Sequence, residues 1–313
     1  MDQLTLPEPF THYSWFDGQQ GHKVFYCHST PNASSTSLIV LSIGRAESAI
    51  KYTALANHWV KNGFTVIACD HRGQGFSQRL DKNPLLGHIE RFDYYISDLK
   101  CLFEKFNAPH YSKRYLLGHS MGGAIATLYL NQYPDDFSAA IVTAPMYGIA
   151  LEHISQWRAK FLTSIFNWRD QLIRKAHFAA GQGTFNWPPF EKNRLTHSQE
   201  NYQTLWELYQ KYPQLQLAGP SFQWLSQSFK AMKQIARLPR LNTPLHIISA
   251  GADTIVDVHA QRQFFNRQQQ LGSTITFQNI PGAFHELLIE EDIYRTPTLQ
   301  TMQTYLKHAC SMA

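Results

Sequence analysis

Short runs of aliphatic and β-branched residues alternate along this chain with longer segments whose apolar residues recur at helical spacing. The runs have the length and composition of buried parallel strands. They cover residues 37–43, 64–70, 114–119, 139–144, 244–250 and 274–280. Strand and helix in alternation predict a doubly wound α/β sheet. Two further alternating segments, Tyr13–Phe16 and Lys23–His28, predict an antiparallel hairpin ahead of it.

The alternation breaks once, between Met146 and Ile235, where the sequence becomes aromatic, helical and interrupted by proline. The strand pattern resumes at Pro244. We therefore expect a helical insertion over 146–235 that caps one edge of the sheet. It separates a first part of the core, residues 1–145, from a second part, residues 236–313.

The strongest local motif follows the strand predicted at 114–119. Gly118-His119-Ser120-Met121-Gly122 matches the pattern G-x-S-x-G, with an apolar strand before it and a helical run after it. In this strand-turn-helix context the serine stands on a sharp turn at the carboxyl edge of the sheet, where it can act as a nucleophile. The flanking glycines are needed because side chains at those positions would meet neighbouring backbone. Ser120 is therefore the candidate nucleophile.

A serine hydroxyl needs a base and an acid that orients the base. Later strands supply both at the same predicted sheet edge. His285 follows the strand at 274–280 and is the candidate base, while Asp253 follows the strand at 244–250 and is the candidate acid. Asp257 is the alternative acid, although we expect it to cap the following helix.

Acyl transfer also requires backbone donors that stabilise an oxyanion. The N–H of Met121, directly after Ser120, is the first candidate, and the N–H of Arg45, after the strand at 37–43, is the second. The Arg45 side chain has two interpretations. It could meet a substrate phosphate, but we favour an exposed arginine or a partner of Glu47.

Composition narrows the class of protein. The chain of 313 residues is 43% hydrophobic and 16% charged, which is typical of a globular protein. Its formal charge of +5 is too small for a nucleic-acid surface. No histidine motif predicts a metal, and we expect no cofactor. Four dispersed cysteines and an amino terminus without a secretory pattern favour reduced thiols and a cytoplasmic location.

Several segments together resemble the lysophospholipase L2 family, in the monoacylglycerol lipase-like branch of the serine α/β-hydrolases. They are GRAESAIKY at 44–52, DHRGQGFS at 70–77, GHSMGG at 118–123, TAPMYGI at 143–149, LTHSQENY at 195–202 and PGAFHE at 281–286. The resemblance implies an α/β-hydrolase fold and hydrolysis of the acyl ester of a lysophospholipid. It also implies that Ser120, Asp253 and His285 form the triad, with Arg45 and Met121 as oxyanion donors. Monoacylglycerols or other carboxylic esters are the alternative substrates. A remote alternative is that the protein binds lipid without catalysing a reaction.

An aromatic stripe in the insertion suggests how a lipid could be recognised. Trp157, Phe161, Ile165, Trp168 and Leu172 share one helical face, with basic residues interleaved. Residues 146–235 contain 10 Lys and Arg against 5 Asp and Glu, so the whole positive surplus lies there. We expect the stripe to pack inward as the core of the cap, where Trp157, Phe161 and Trp168 could line an acyl-binding tunnel. The other interpretation is peripheral contact with an anionic membrane, on the cytoplasmic face of the inner membrane.

Overall fold

A computed structural model describes residues 6–31, 35–151 and 155–312. It contains a sheet of eight strands in the order β1-β2-β4-β3-β5-β6-β7-β8. The strands are β1 (His12–Asp17), β2 (Lys23–Ser29), β3 (Ser37–Ser42), β4 (Thr65–Cys69), β5 (Lys113–His119), β6 (Ala139–Thr143), β7 (Leu245–Ala250) and β8 (Ile275–Ile280). β1 and β2 pair antiparallel, β2 joins β4 antiparallel, and the remaining pairs are parallel. The predicted hairpin and parallel core are both confirmed.

Helices cover both faces of this sheet and form the connection between β6 and β7. They are α1 (Thr53–Lys61), α2 (Asp93–Lys105), α3 (Met121–Gln132), α4 (Gln156–Ile173), α5 (Gln199–Lys211), α6 (Phe222–Ile235), α7 (Val258–Gln270) and α8 (Asp292–Met312). This is the α/β-hydrolase fold that the sequence predicted. Strands β3 to β7 are buried almost throughout, because helices exclude water from both sides of a parallel sheet.

The connection between β6 and β7 carries α4, α5 and α6, and no strand occurs between residues 155 and 243. Its helix α4 packs on α6, where the rings of Phe166 and Phe222 stack with centroids 4.9 Å apart. The division at residues 146 and 235 itself stays a prediction.

The aromatic stripe of α4 does not pack inward, so that expectation is wrong. Its five members are between 45% and 68% exposed. They are Trp157, Phe161, Ile165, Trp168 and Leu172. The buried face of the helix is instead polar and consists of Thr163, Asn167 and Asp170. Spacings of four and three place these three residues together on one side, so α4 is amphipathic with its apolar side toward solvent.

Candidate active site

Ser120 lies on the turn between β5 and α3 in a strained backbone conformation, with φ 52° and ψ −118°. This region is costly for a residue with a side chain, so the surroundings must hold it in place. The N–H of Ser120 donates to Thr143 O at 3.0 Å, and the N–H of Met146 donates to Ser120 O at 2.9 Å. These bonds fix the turn against the end of β6.

The glycines on either side of Ser120 are required by space. A Cβ on Gly122 would lie 2.0 Å from Ser42 O, and one on Gly118 would lie 2.8 Å from Gly122 O. Both neighbours are backbone atoms that cannot rotate away. The close packing brings α3 against the end of β3, and thus brings Ser120 next to the loop that follows β3.

Ser120, His285 and Asp253 form one chain of hydrogen bonds. His285 Nε2 lies 2.9 Å from Ser120 Oγ, and His285 Nδ1 lies 2.6 Å from Asp253 Oδ2. The other Asp253 oxygen accepts from the N–H groups of Ile255 and Val256 at 2.8 and 3.1 Å. Asp253 therefore holds the imidazole with Nε2 toward the serine. Asp257 caps α7, as expected, by accepting from the N–H groups of His259 and Ala260.

The electrostatic environment of His285 favours its protonated form. Burial disfavours the imidazolium, but the hydrogen bond and charge of Asp253, with Glu286 and Glu47 nearby, raise the pKa of His285 above its ordinary value. A histidine paired in this way can accept the proton of Ser120, because the resulting imidazolium is stabilised by the carboxylate that orients it.

The two residues predicted to supply oxyanion donors lie directly after Ser120 and in the loop after β3. Met121 is the first residue of α3, so its N–H has no acceptor within the helix. Arg45 lies in the loop after β3, where Gly44 N–H donates to Glu47 Oε2 at 2.5 Å and Tyr209 Oη donates to Ala46 O at 2.8 Å. The loop is therefore fixed from the core and from α5.

The Arg45 side chain differs from the expectation that it is exposed or pairs with Glu47. Its guanidinium donates to Ala218 O at 2.5 Å and lies 5.1 Å from the ring centroid of Trp224. Burial lowers the pKa of Arg45 to about 10. The side chain connects the loop after β3 to Ala218 and Trp224 of the insertion.

A buried charged cluster that the sequence did not predict lies behind the serine and histidine. Lys51 Nζ lies 2.6 Å from Glu47 Oε1 and 2.6 Å from Glu286 Oε2. His119 Nε2 lies 3.3 Å from Glu286. Burial disfavours the charged form of Glu286, but Lys51 and His119 hold its pKa well below the usual range. The cluster ties the loop after β3 to the loop of His285.

Glu47, His119 and Glu286 also form a group whose potential ligand atoms lie within 4.8 Å of one another. Three such residues could in principle hold a metal ion. Here the Lys51 ammonium lies between the two carboxylates, occupies the space between them and neutralises part of their charge. The donor set therefore fits an ion-pair network better than a resident metal.

The HRGQG segment, to which sequence reasoning gave no role at the site, supports the same loop. Gln74 Nε2 donates to Gly44 O at 2.7 Å and to Glu47 O at 2.9 Å. Asp70, on the other side, accepts from Ser48 Oγ at 2.9 Å and from the N–H of Ala49 at 2.5 Å. These polar residues after β4 thus hold the loop after β3 in place.

Comparisons with known proteins show the family of this chain. A hydrolase family described as "Serine aminopeptidase, S33" matches residues 33–292. Lysophospholipase L2 of Escherichia coli K12 is 35% identical over 271 residues, which cover 85% of this chain and 78% of that protein. The chain belongs to the lysophospholipase L2 family of these hydrolases.

A second relative and a solved structure are also similar to this chain. A Haemophilus influenzae member of the lysophospholipase L2 family, named "Probable lysophospholipase L2", is 31% identical over 93% of this chain and 91% of its own. Among solved structures, a soluble variant of monoglyceride lipase from Saccharomyces cerevisiae, in complex with a substrate analog, superposes with a TM-score of 0.74. That match covers 98% of this chain and 97% of the other chain. Because the two sequences are only 19% identical, it shows the fold alone.

Proposed function

We propose that this protein hydrolyses the acyl ester of lysophospholipids to a fatty acid and a glycerophosphodiester. The observation that carries the proposal is the hydrogen-bonded chain from Ser120 Oγ through His285 to Asp253 in a member of the lysophospholipase L2 family. We assign Ser120 as nucleophile, His285 as base and Asp253 as the acid that orients it.

The reaction proceeds in two balanced steps. His285 Nε2 takes the Ser120 proton while Oγ attacks the ester carbonyl, and the N–H groups of Met121 and Arg45 stabilise the oxyanion. Collapse breaks the bond to the glycerophosphodiester, whose oxygen takes the proton from His285. A water molecule, deprotonated by His285, then attacks the carbonyl of the acyl-enzyme. The bond to Ser120 Oγ breaks, Oγ takes the proton back from His285, and the fatty acid leaves. Neither step consumes a cofactor.

The test is hydrolysis of lysophosphatidylethanolamine by purified wild-type and variant protein. Ser120→Ala and His285→Ala should each lower kcat by roughly three orders of magnitude or more, because the variant lacks the nucleophile or its base. Asp257→Asn, which alters a helix cap beside the site, is the matched control and should stay within about threefold. Comparable turnover in Ser120→Ala and the wild type would refute the assignment.

Monoacylglycerol hydrolysis is the second candidate function. It is favoured by a relative, the monoacylglycerol lipase of Mycolicibacterium smegmatis, which is 32% identical over 133 residues, or 42% of this chain. Both reactions begin with attack on an acyl ester, so the triad does not discriminate between them. A kcat/KM ratio that favours monoacylglycerol over lysophosphatidylethanolamine of the same acyl chain would replace the first proposal by this one.

We further propose that α4 contacts the lipid surface from which the substrate is drawn. Its exposed apolar residues form a contiguous face, while Arg158, Lys160, Arg174 and Lys175 are exposed around it. An apolar face with aromatic anchors and flanking cations suits the interface of an anionic bilayer. Within the described ranges, every helix falls short of the length or hydrophobicity that crossing a bilayer demands. Trp157, Phe161 and Trp168 would therefore contact the lipid surface that holds the substrate, rather than line a tunnel inside the cap.

A further inference from the structure

The LTHS segment of the insertion, residues 195–198, lies against the loop that carries His285. Its residue Leu195 accepts a hydrogen bond from the N–H of Glu286 at 2.9 Å. The ring of His197 stacks on that of Phe284 with centroids 3.8 Å apart. These contacts reach the two residues that flank His285, so the insertion touches the histidine loop on both sides of the imidazole.

One buried carboxylate, that of Glu290, joins the segment to the loop. Its side chain is 0% exposed. Oε1 accepts from Phe284 N–H at 2.7 Å and lies 2.8 Å from His197 Nδ1. Oε2 accepts from the N–H groups of His197 and Glu291 at 2.8 and 3.0 Å, and from Thr196 Oγ1 at 3.1 Å. Both oxygens therefore face only donors.

A carboxylate is the side chain that this arrangement requires. Ionised Glu accepts at both oxygens, whereas an amide of the same shape would direct an N–H group at N–H donors. Hydrogen bonds to a charged acceptor are also stronger than neutral ones. Glu290 is neither within hydrogen-bond contact of the Ser120 hydroxyl nor part of the Lys51 cluster, so the proposed reaction gives it no role.

We propose that Glu290 is a positioning residue that clamps the His285 loop to the LTHS segment of the insertion. It fixes the backbone at Phe284, directly before His285, to a part of the chain almost 90 residues earlier. Alignment of the imidazole with Ser120 then depends on docking of the insertion. The inference rests on the proposed role of His285 but not on the identity of the lipid.

The chain offers a matched control for this carboxylate. Asp170 in α4 is also buried, accepts from the N–H of His177 at 2.9 Å and lies 2.8 Å from His177 Nδ1. Glu290 makes the same pair of contacts with His197. Asp170, however, has no contact with the His285 loop among its described hydrogen bonds. Asp170→Asn therefore removes an equivalent carboxylate–histidine pair without affecting the clamp.

The experiment compares Glu290→Gln with Asp170→Asn on a short, water-soluble p-nitrophenyl ester. Rates are expressed per active site titrated with a fluorophosphonate, and thermal unfolding is recorded for each variant. We expect Glu290→Gln to lower kcat about tenfold or more with KM changed less than threefold, because alignment rather than binding is lost. Asp170→Asn should keep kcat within twofold, even if its thermal midpoint falls as far as that of Glu290→Gln.

Equal kcat values for Glu290→Gln and wild type, at any thermal midpoint, would show that Glu290 is only structural and overturn the proposal. If Glu290→Gln does not fold, His197→Ala decides. That variant loses the ring contact with Phe284 but keeps the backbone donors to Glu290, and we expect kcat to fall about threefold. An unchanged kcat in His197→Ala would then overturn the proposal. If the protein does not hydrolyse lysophosphatidylethanolamine, the proposed function is refuted, but the comparison of Glu290→Gln with Asp170→Asn on the soluble ester still tests the clamp.

Discussion

His285, the proposed base, is surrounded by more negative charge than Asp253 alone provides. Asp253 bonds its Nδ1, while Glu286 and Glu47 act from the other side and are partly neutralised by Lys51. The ring of His119 lies 5.0 Å from that of His285. Burial lowers the pKa of His285, but these carboxylates raise it above the ordinary value in sum. We therefore expect the pH at which kcat/KM falls on the acidic side to depend on all of these charged groups.

Glu286→Gln tests this electrostatic argument. Removal of one negative charge, and of one neutralising partner of Lys51, destabilises the imidazolium, so the pKa of His285 should fall. Because the proposed base is neutral His285, the acidic limb of kcat/KM should move to lower pH. The pH profile with a soluble ester measures it.

Glu291→Gln is the control for that profile, since Glu291 is an exposed carboxylate nearby that is not part of the cluster. Its acidic limb should coincide with that of the wild type. A limb that stays in place, or moves to higher pH, in Glu286→Gln would contradict the electrostatic argument.

Local sequence was sufficient for some site residues and not for others. Ser120, Asp253 and His285 could be predicted because each follows a strand, and parallel strands end at one edge of a sheet. Lys51 and Glu286 are 235 residues apart, and neither has a neighbourhood that marks it. Their pairing arises only from the packing of two loops, which periodicity does not encode.

At the scale of elements, the spacing in α4 predicted the apolar face correctly but not what covers it. A period of 3.6 assigns residues to a side of a helix, whereas the partner of that side depends on tertiary packing. Here α4 packs on α6 through the rings of Phe166 and Phe222, and Gln171 donates to Gln223 beside them. The apolar side is left outward, and five large apolar side chains are exposed together on it.

The double variant Trp157→Ser, Trp168→Ser tests the proposed role of α4. Both side chains are 65% exposed, so the free energy of unfolding should change by less than about 1 kcal/mol. Binding to vesicles that contain anionic lipid should weaken about tenfold or more, because aromatic anchors supply much of the interfacial affinity. Sedimentation of protein with vesicles measures it.

Ile293→Ser serves as the comparison for vesicle binding. Ile293 is 73% exposed in α8, outside the α4 face. Its replacement should leave vesicle binding unchanged. Equal binding by the double variant and the wild type would show that α4 is not the contact surface.

At the scale of the molecule, several buried histidines make stability depend on pH. Burial lowers the pKa of His71 to about 3, and those of His28 and His246 to about 4. A histidine whose folded pKa is depressed stabilises the fold above its unfolded value near 6.5 and loses that contribution as pH falls toward the folded value. Asp70 acts in the opposite direction, since burial raises its pKa to about 6.

Asp98 and His285, whose pKa values are also raised, act in the same direction as Asp70. Burial also lowers the pKa values of His58 and His88.

The five histidines with lowered pKa values outweigh the three groups with raised values, so the free energy of unfolding should fall between pH 6.5 and pH 4.5. Urea titrations at pH 7, 6, 5 and 4.5 measure this slope. In His246→Gln, which replaces a ring that contacts Thr276 and Tyr305, the slope should be shallower. Stability that is constant, or that rises, over this interval would contradict the account.

The outward apolar face of α4 also governs how the purified protein behaves. In plain buffer this surface has no lipid to cover it, and contiguous exposed apolar area promotes association between molecules. Salts that strengthen the hydrophobic effect, such as sulfate, should favour that association. Detergent below its critical micelle concentration should reverse it. Yield, crystal growth and shelf life are thus tied to the same helix that we assign to the lipid surface.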